Sequence, residues 1–217
     1  MTSPLDDRLS TVFAADRALR IAELEFLDDS GPAHLAALAR ALDAALALED
    51  AEESGIRCIR IADLLGEFQG PEVVTALLRL LDNDEPTVRE AAGSTLLDLG
   101  YSRWAEVARG VEKLIDDGKA LTALKEVPFV LGEIGEPGGV KLCVRLLKHA
   151  DSGVVASAVE SLAMLGDPAV LRDLEKLRND KRIVESDDDA DAPEGGGSPT
   201  VGDLVNDVIE HLRSIKS

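Results

Sequence analysis

Four helical segments in the middle of the chain close on the same residue at a nearly constant interval. ADLLG ends at Gly66, LLDLG at Gly100, LGEIG at Gly135 and LAMLG at Gly166, spacings of 34, 35 and 31 residues. Self-similarity at such a period is the signature of stacked repeat units and leaves few other architectures open. After each glycine comes a short connection and a second helical pattern: EVVTALLRLLD at 72–82, RWAEVARGVEKLIDD at 103–117, GVKLCVRLLKH at 139–149 and AVLRDLEKLRND at 169–180. The unit is therefore helix, glycine turn, helix. Glycine suits a helix C-terminus because it takes the left-handed conformation without a Cβ clash, so all four are expected to cap in that way. Pro71, Pro137 and Pro168 fall where a new helix accepts proline in its first turn.

The apolar spacing supports this. Trp104, Val107, Ala108, Val111, Leu114 and Ile115 form one helical stripe, and Val201, Leu204, Val205, Val208, Ile209 and Leu212 form another. Thr200 followed by Asp203 is a helix-start signal related to the capping box. No convincing alternating strand occurs. Aromatics are only 3% of residues, so the core must be built from Ala, Leu, Val and Ile, which favours closely packed helices. Tyr101 and Trp104 stand together at a helix start; core packing is the favoured role for the Trp, with a partner-facing hot spot as the alternative.

Against this pattern, DNDEPTVREAAGSTLLDLG at 82–100 resembles the first helix of a HEAT repeat of the bacterial phycocyanobilin-lyase-like type, through Val88-Arg89, Ala91-Ala92, Leu96, Leu99 and Gly100. LGEFQGPEVVTALLRLLDND at 65–84 and MLGDPAVLRDLEKLRND at 164–180 resemble the turn and second helix of the same unit. The resemblance covers roughly residues 54–217. It implies an all-α protein, an α-solenoid of HEAT-like helix-turn-helix repeats with capping helices, and says almost nothing about activity. Val155 departs from it by occupying the place of Arg89, which leaves any Arg–acid ladder incomplete. Pro128 interrupts the helix of 119–134 and is expected to kink it.

Four regions follow. Residues 1–53 read as an N-terminal cap of two amphipathic helices around Gly31-Pro32, covering the apolar end that a solenoid exposes. HEAT-like repeats occupy 54–184. ESDDDADAPEGGGSP at 185–199 has almost no apolar mass and reads as a disordered acidic insertion, and 200–217 supplies a C-terminal capping helix.

The chain carries 42 acids against 23 bases, a formal net charge of −19, which argues against nucleic acid and against anionic membrane surfaces. Most of that surplus sits at the ends: 12 acids and 4 bases in 1–54, and 9 and 2 in 185–217, leaving 21 and 17 between. No leader or apolar span is visible, so a cytoplasmic location is expected.

Catalytic patterns are missing. His34, His149 and His211 are isolated, and Cys58 and Cys143 belong to no ligand spacing. GEPGG at 135–139 lacks the strand and the Lys-Ser/Thr of a phosphate loop, and no GxSxG occurs. No catalytic residue, metal or cofactor is expected. A DNA-glycosylase-like role fails on charge and on the shortage of aromatics; a chromophore-lyase role has no residue set to attach to.

One constellation remains. The resemblance implies that second helices line the concave face of the solenoid, and on them lie Arg79, Arg109, Lys113, Lys141, Arg145, Lys148, Arg172 and Lys176. Several are three or four residues apart and so share a helical face. Stacking the repeats turns these faces into a ladder able to hold an acidic protein segment in trans, or the 185–194 stretch in cis. The plainer account is a solvated surface tied to neighbouring Glu106, Glu112, Asp173 and Glu175. The expectation is a non-enzymatic scaffold or adaptor that binds a protein partner, with an acidic inhibitor or immunity protein against a basic enzyme such as a nuclease toxin as the alternative. A chromophore lyase is the third reading. The partner's identity and the oligomeric state are left open.

Overall fold

The computed structural model describes residues 3–184 and 198–215, and among these nearly all regular structure is helical. In chain order the helices are α1 (Pro4–Leu27), α2 (Pro32–Leu46), α3 (Ala51–Leu65), α4 (Pro71–Leu81), α5 (Pro86–Asp117), α6 (Leu121–Ile134), α7 (Pro137–Leu146), α8 (Ser152–Leu165), α9 (Leu171–Leu174) and α10 (Val201–Ile215). Short 3₁₀ turns, Pro168–Val170 and Glu175–Leu177, flank α9. The chain is an all-α solenoid.

Two rows make up the array. The first comprises α3, the opening arm of α5, α6, α8 and α10, each packed on the next. The second comprises α2, α4, the closing arm of α5, α7 and the broken 168–177 segment. Apolar residues of both rows meet in one continuous core that includes Leu42, Leu77, Leu96, Leu124, Leu146, Leu162 and Ile209. Among the described residues its buried members are aliphatic apart from Phe68, Cys58 and Cys143.

Local signals explain the helix starts. Pro4, Pro32, Pro71, Pro86 and Pro137 each stand in a first turn. The side chains of Asp50 and Asp151 accept the N–H of Glu53 (3.1 Å) and Val154 (3.0 Å). Thr200 and Asp203 cap reciprocally: Thr200 N–H donates to Asp203 Oδ2 at 2.9 Å, and Asp203 N–H to Thr200 Oγ1 at 3.2 Å.

Two of the four repeat glycines depart from the left-handed role. Gly135 and Gly166 take it, at φ 71° and 64°. Gly66 is right-handed (φ −58°), and Gly100 lies buried inside α5. Close approach explains these two: a Cβ on Gly66 would meet Thr95 Cγ2 at 3.2 Å, and one on Gly100 would enter the space of Ile134. The corner of that repeat falls instead at Arg103, whose φ −143° and ψ 45° divide α5 into two arms. Pro128 does not break α6, which runs unbroken from Leu121 to Ile134.

At the N-terminal end, α2 packs on α3 through Leu38, Leu42 and Ala45. Helix α1 buries no residue. It meets the array through partly buried Phe26 and Leu27 and an Arg60 Nη1–Glu23 Oε1 pair at 2.8 Å. The acidic insertion expected at 185–199 lies outside the described residues except for its last two. Its flanks are joined: Val184 N–H donates to Pro199 O and Val201 N–H to Arg182 O, both at 2.9 Å, around an antiparallel Ile183–Thr200 bridge.

Candidate protein-interaction surface

The eight basic residues of the second row fall into distinct environments. Arg79 reaches back to Asp43 on α2 (Nη2–Oδ1 2.9 Å), and Arg145 reaches back to Asp116 on α5 (2.6 Å). These two stitch neighbouring second helices together, at modest energy because both pairs are largely solvated. Lys176 pairs with Asp173 within its own segment at 2.7 Å. Arg109 donates to the Ala105 carbonyl at 2.9 Å. Lys113, Lys141, Lys148 and Arg172 have no ion pair among the described residues.

Recesses bring some of them together. One of about 460 Å³ between α4 and the closing arm of α5 is lined by Arg79 and Lys113 with Leu46, Leu78 and Leu114. Another of about 440 Å³, between α7 and the 168–177 segment, joins Lys148 and Lys176 to His149, Leu177 and Arg182. Arg109, Lys141, Arg145 and Arg172 line neither. Lys119 and Arg182, both in connections, also line these recesses; Lys119 falls two residues ahead of α6, inside the helix expected at 119–134. Of the acids offered as neutralising neighbours, Asp173 holds Lys176, Glu175 holds Arg178 and Arg213, and Glu106 lies 3.9 Å from Arg103. Glu112 holds no base among the described residues.

Trp104 is partly buried against the core, its indole over Gly138, whereas Tyr101 is exposed and donates to the Glu133 carbonyl at 3.2 Å. Both cysteines are buried free thiols. Burial pushes the Cys143 thiol up to about 11, opposed by its contact with Ser161. His149 Nδ1 accepts the Asp151 N–H at 3.1 Å, and His34 Nδ1 accepts the Gly31 N–H at 3.1 Å. No three His, Cys, Asp or Glu side chains among the described residues are grouped to hold a metal ion, and no described helix is long and apolar enough to cross a membrane.

Residues 123–187 match the HEAT repeats family. That segment spans α6 to α9 and is under a third of the chain. Two solved structures are similar: an engineered protein, Northeast Structural Genomics Consortium target OR329, and the designed armadillo repeat protein YIII(Dq)4CqI. The first is 21% identical over 85% of each chain with a TM-score of 0.34. The second is 17% identical over 84% of this chain and 87% of that one, with a TM-score of 0.35. Neither likeness adds to what the helix rows show by themselves. No curated protein matches the chain.

Proposed function

We propose that this protein is a non-enzymatic, cytoplasmic scaffold of the phycocyanobilin-lyase-like HEAT type that binds an acidic segment of a partner protein along its second row. In this reading 1–53 and 200–217 cap the repeats of 54–184. The observation that carries it is the grouping of cations in the recesses, Arg79, Lys113 and Lys119 in one and Lys148, Lys176 and Arg182 in the other, which outnumber the two aspartates in each (Asp82 and Asp117, Asp173 and Asp180) and stand beside leucines. Such a lining suits acidic side chains interleaved with apolar ones, and long-range attraction would speed their arrival. Solenoid faces offer extended contact area in place of an enclosed pocket.

The test is fluorescence anisotropy with a labelled (Glu-Ser)6 peptide. The triple variant Lys113→Glu, Lys148→Glu, Lys176→Glu is expected to bind at least about tenfold more weakly while keeping its helical signal. Unchanged affinity, or no binding by the natural chain, sinks the second-row reading. The alternative, an acidic inhibitor of a basic enzyme, draws on a different observation: carboxylates of the first row that hold no cation. A lyase role would require bound pigment or turnover.

A further inference from the structure

The outer face of the first row carries a second, longer groove. A recess of about 620 Å³ between α3 and α5 is lined by Glu67, Glu90, Ser94 and Asp98. A second, about 450 Å³ between α5 and α6, shares Glu90 and Ser94 with it and adds Glu133. The third, about 780 Å³, shares Arg89, Glu126 and Phe129 with the second and runs across α8 to Leu204 of α10. These shared walls make one channel over five successive helices. With neighbouring axes roughly 8–10 Å apart, it extends about 32–40 Å, enough for some 10–12 residues of extended chain.

Small residues line its floor: Gly93 and exposed Ser94 on α5, and Gly153 with buried Ala156 and Ser157 on α8. The cations of this face are already engaged. Arg89 Nε lies 2.8 Å from Glu126 Oε1, Lys125 Nζ lies 3.8 Å from Asp151 Oδ1, and Arg103 donates to the Phe68 carbonyl at 2.7 Å. In contrast, the side chains of Glu67, Glu90, Asp98, Glu133 and Glu160 form no ion pair or hydrogen bond among the described residues. Burial raises the Glu160 carboxyl with nothing to offset it, so an arriving cation would stabilise its charged form.

We infer that this first-row groove docks a basic, extended protein segment, lysines or arginines alternating with small residues, laid across α3 to α10. Alternation lets small side chains meet the Gly, Ala and Ser floor while every second residue reaches a carboxylate wall. This surface lies opposite in charge and on a different row from the basic ladder, so the protein would join two partners of opposite charge. The inference rests on the scaffold reading but not on the second-row site.

The experiment is anisotropy with a labelled (Lys-Ser)6 peptide at physiological salt. Glu90→Lys, Glu133→Lys, Glu160→Lys is expected to weaken binding at least about tenfold. Asp7→Lys, Glu25→Lys, Glu49→Lys changes net charge equally but lies on or beside α1 and α2; it should stay within about threefold of the natural chain. Ser94→Trp, at an exposed position shared by two of the recesses, blocks the groove without changing charge and should cost at least about fivefold. The second-row triple should leave (Lys-Ser)6 affinity intact, which separates failure of one site from failure of the other. The inference is overturned if the natural chain does not bind, if the α1–α2 triple loses as much as the groove triple, or if Ser94→Trp binds normally.

Discussion

Arg182 supplies the loop before α8 with the guanidinium that Val155 lacks. In the α5 repeat, Arg89 Nη1 donates to the carbonyls of Asn83 and Asp84, six and five residues ahead of it, at 3.1 and 2.9 Å. Val155 stands in the same relation to His149 and Ala150 but is fully buried. Arg182 arrives from the far side of the repeat and donates to those two carbonyls at 2.8 and 2.9 Å. Its remaining N–H groups grip Asp180 at 2.6 to 3.1 Å. The ladder is rerouted through a later residue.

Arg182→Ala should therefore destabilise the protein by about 1–3 kcal/mol, the usual range for charge-assisted bonds that leave partly buried acceptors behind. Urea denaturation measures this. A loss within experimental error of zero would mean that solvent replaces the clip.

The same pair sets a pH dependence. The hydrogen bond from Arg182 holds the Asp180 carboxyl below its ordinary value. A depressed carboxylate contributes stability that is present above its unfolded pKa and lost as pH falls through the folded one. Acid titration of melting temperature should show part of the drop between neutral and strongly acidic pH removed in Asp180→Asn. An identical pH profile would exclude the pair as a contributor.

Gly202→Ala tests the seat of α10. A Cβ there would lie 2.7 Å from the Arg178 carbonyl oxygen and 2.9 Å from that of Asp180, and backbone cannot swing aside as a side-chain tip does. The Gly202 N–H also donates to Asp180 O at 3.0 Å. We expect a loss of at least about 2 kcal/mol, within the range of overpacking, in calorimetry. Gly166→Ala, with open space but φ 64°, should cost about 1 kcal/mol.

Ser161 fastens α8 to α6. Fully buried, it donates to the Pro128 carbonyl at 2.5 Å and contacts Cys143 Sγ at 3.5 Å. Ser161→Ala should cost about 1–2 kcal/mol by denaturant titration. Because burial keeps Cys143 a thiol at pH 8, iodoacetamide should label it only once the chain unfolds; mass spectrometry of the native protein would reveal any exception.

The sequence marks the repeats because their signals are local. Glycine spacing, first-turn prolines and 3.6-residue stripes each act within one helix, and Val107, Val111, Val205 and Ile209 are buried on the stripes that predicted them. What it does not reveal depends on neighbours distant in the chain. Whether Gly100 is a left-handed cap or a contact for Ile134 is decided by a helix some thirty residues away. Among the basic candidates, periodicity places Arg145 and Lys141 alike on α7, yet only Arg145 meets an acid of the preceding helix. The first-row groove was hidden for a third reason: Ser94, Ala156 and Ser157 are unremarkable residues until stacking aligns them.

The hydrogen-bonded stem at Val184–Pro199 has a practical consequence. Because Val184 and Pro199 are hydrogen-bonded to each other, the two ends of any segment spliced between them start close together, and the entropic cost of closing a longer one grows slowly with residue number. The bonds of the stem are made by residues outside any segment spliced there. The position is a ready socket where a reporter, an epitope or a whole small domain can be grafted without redesigning the array that carries it.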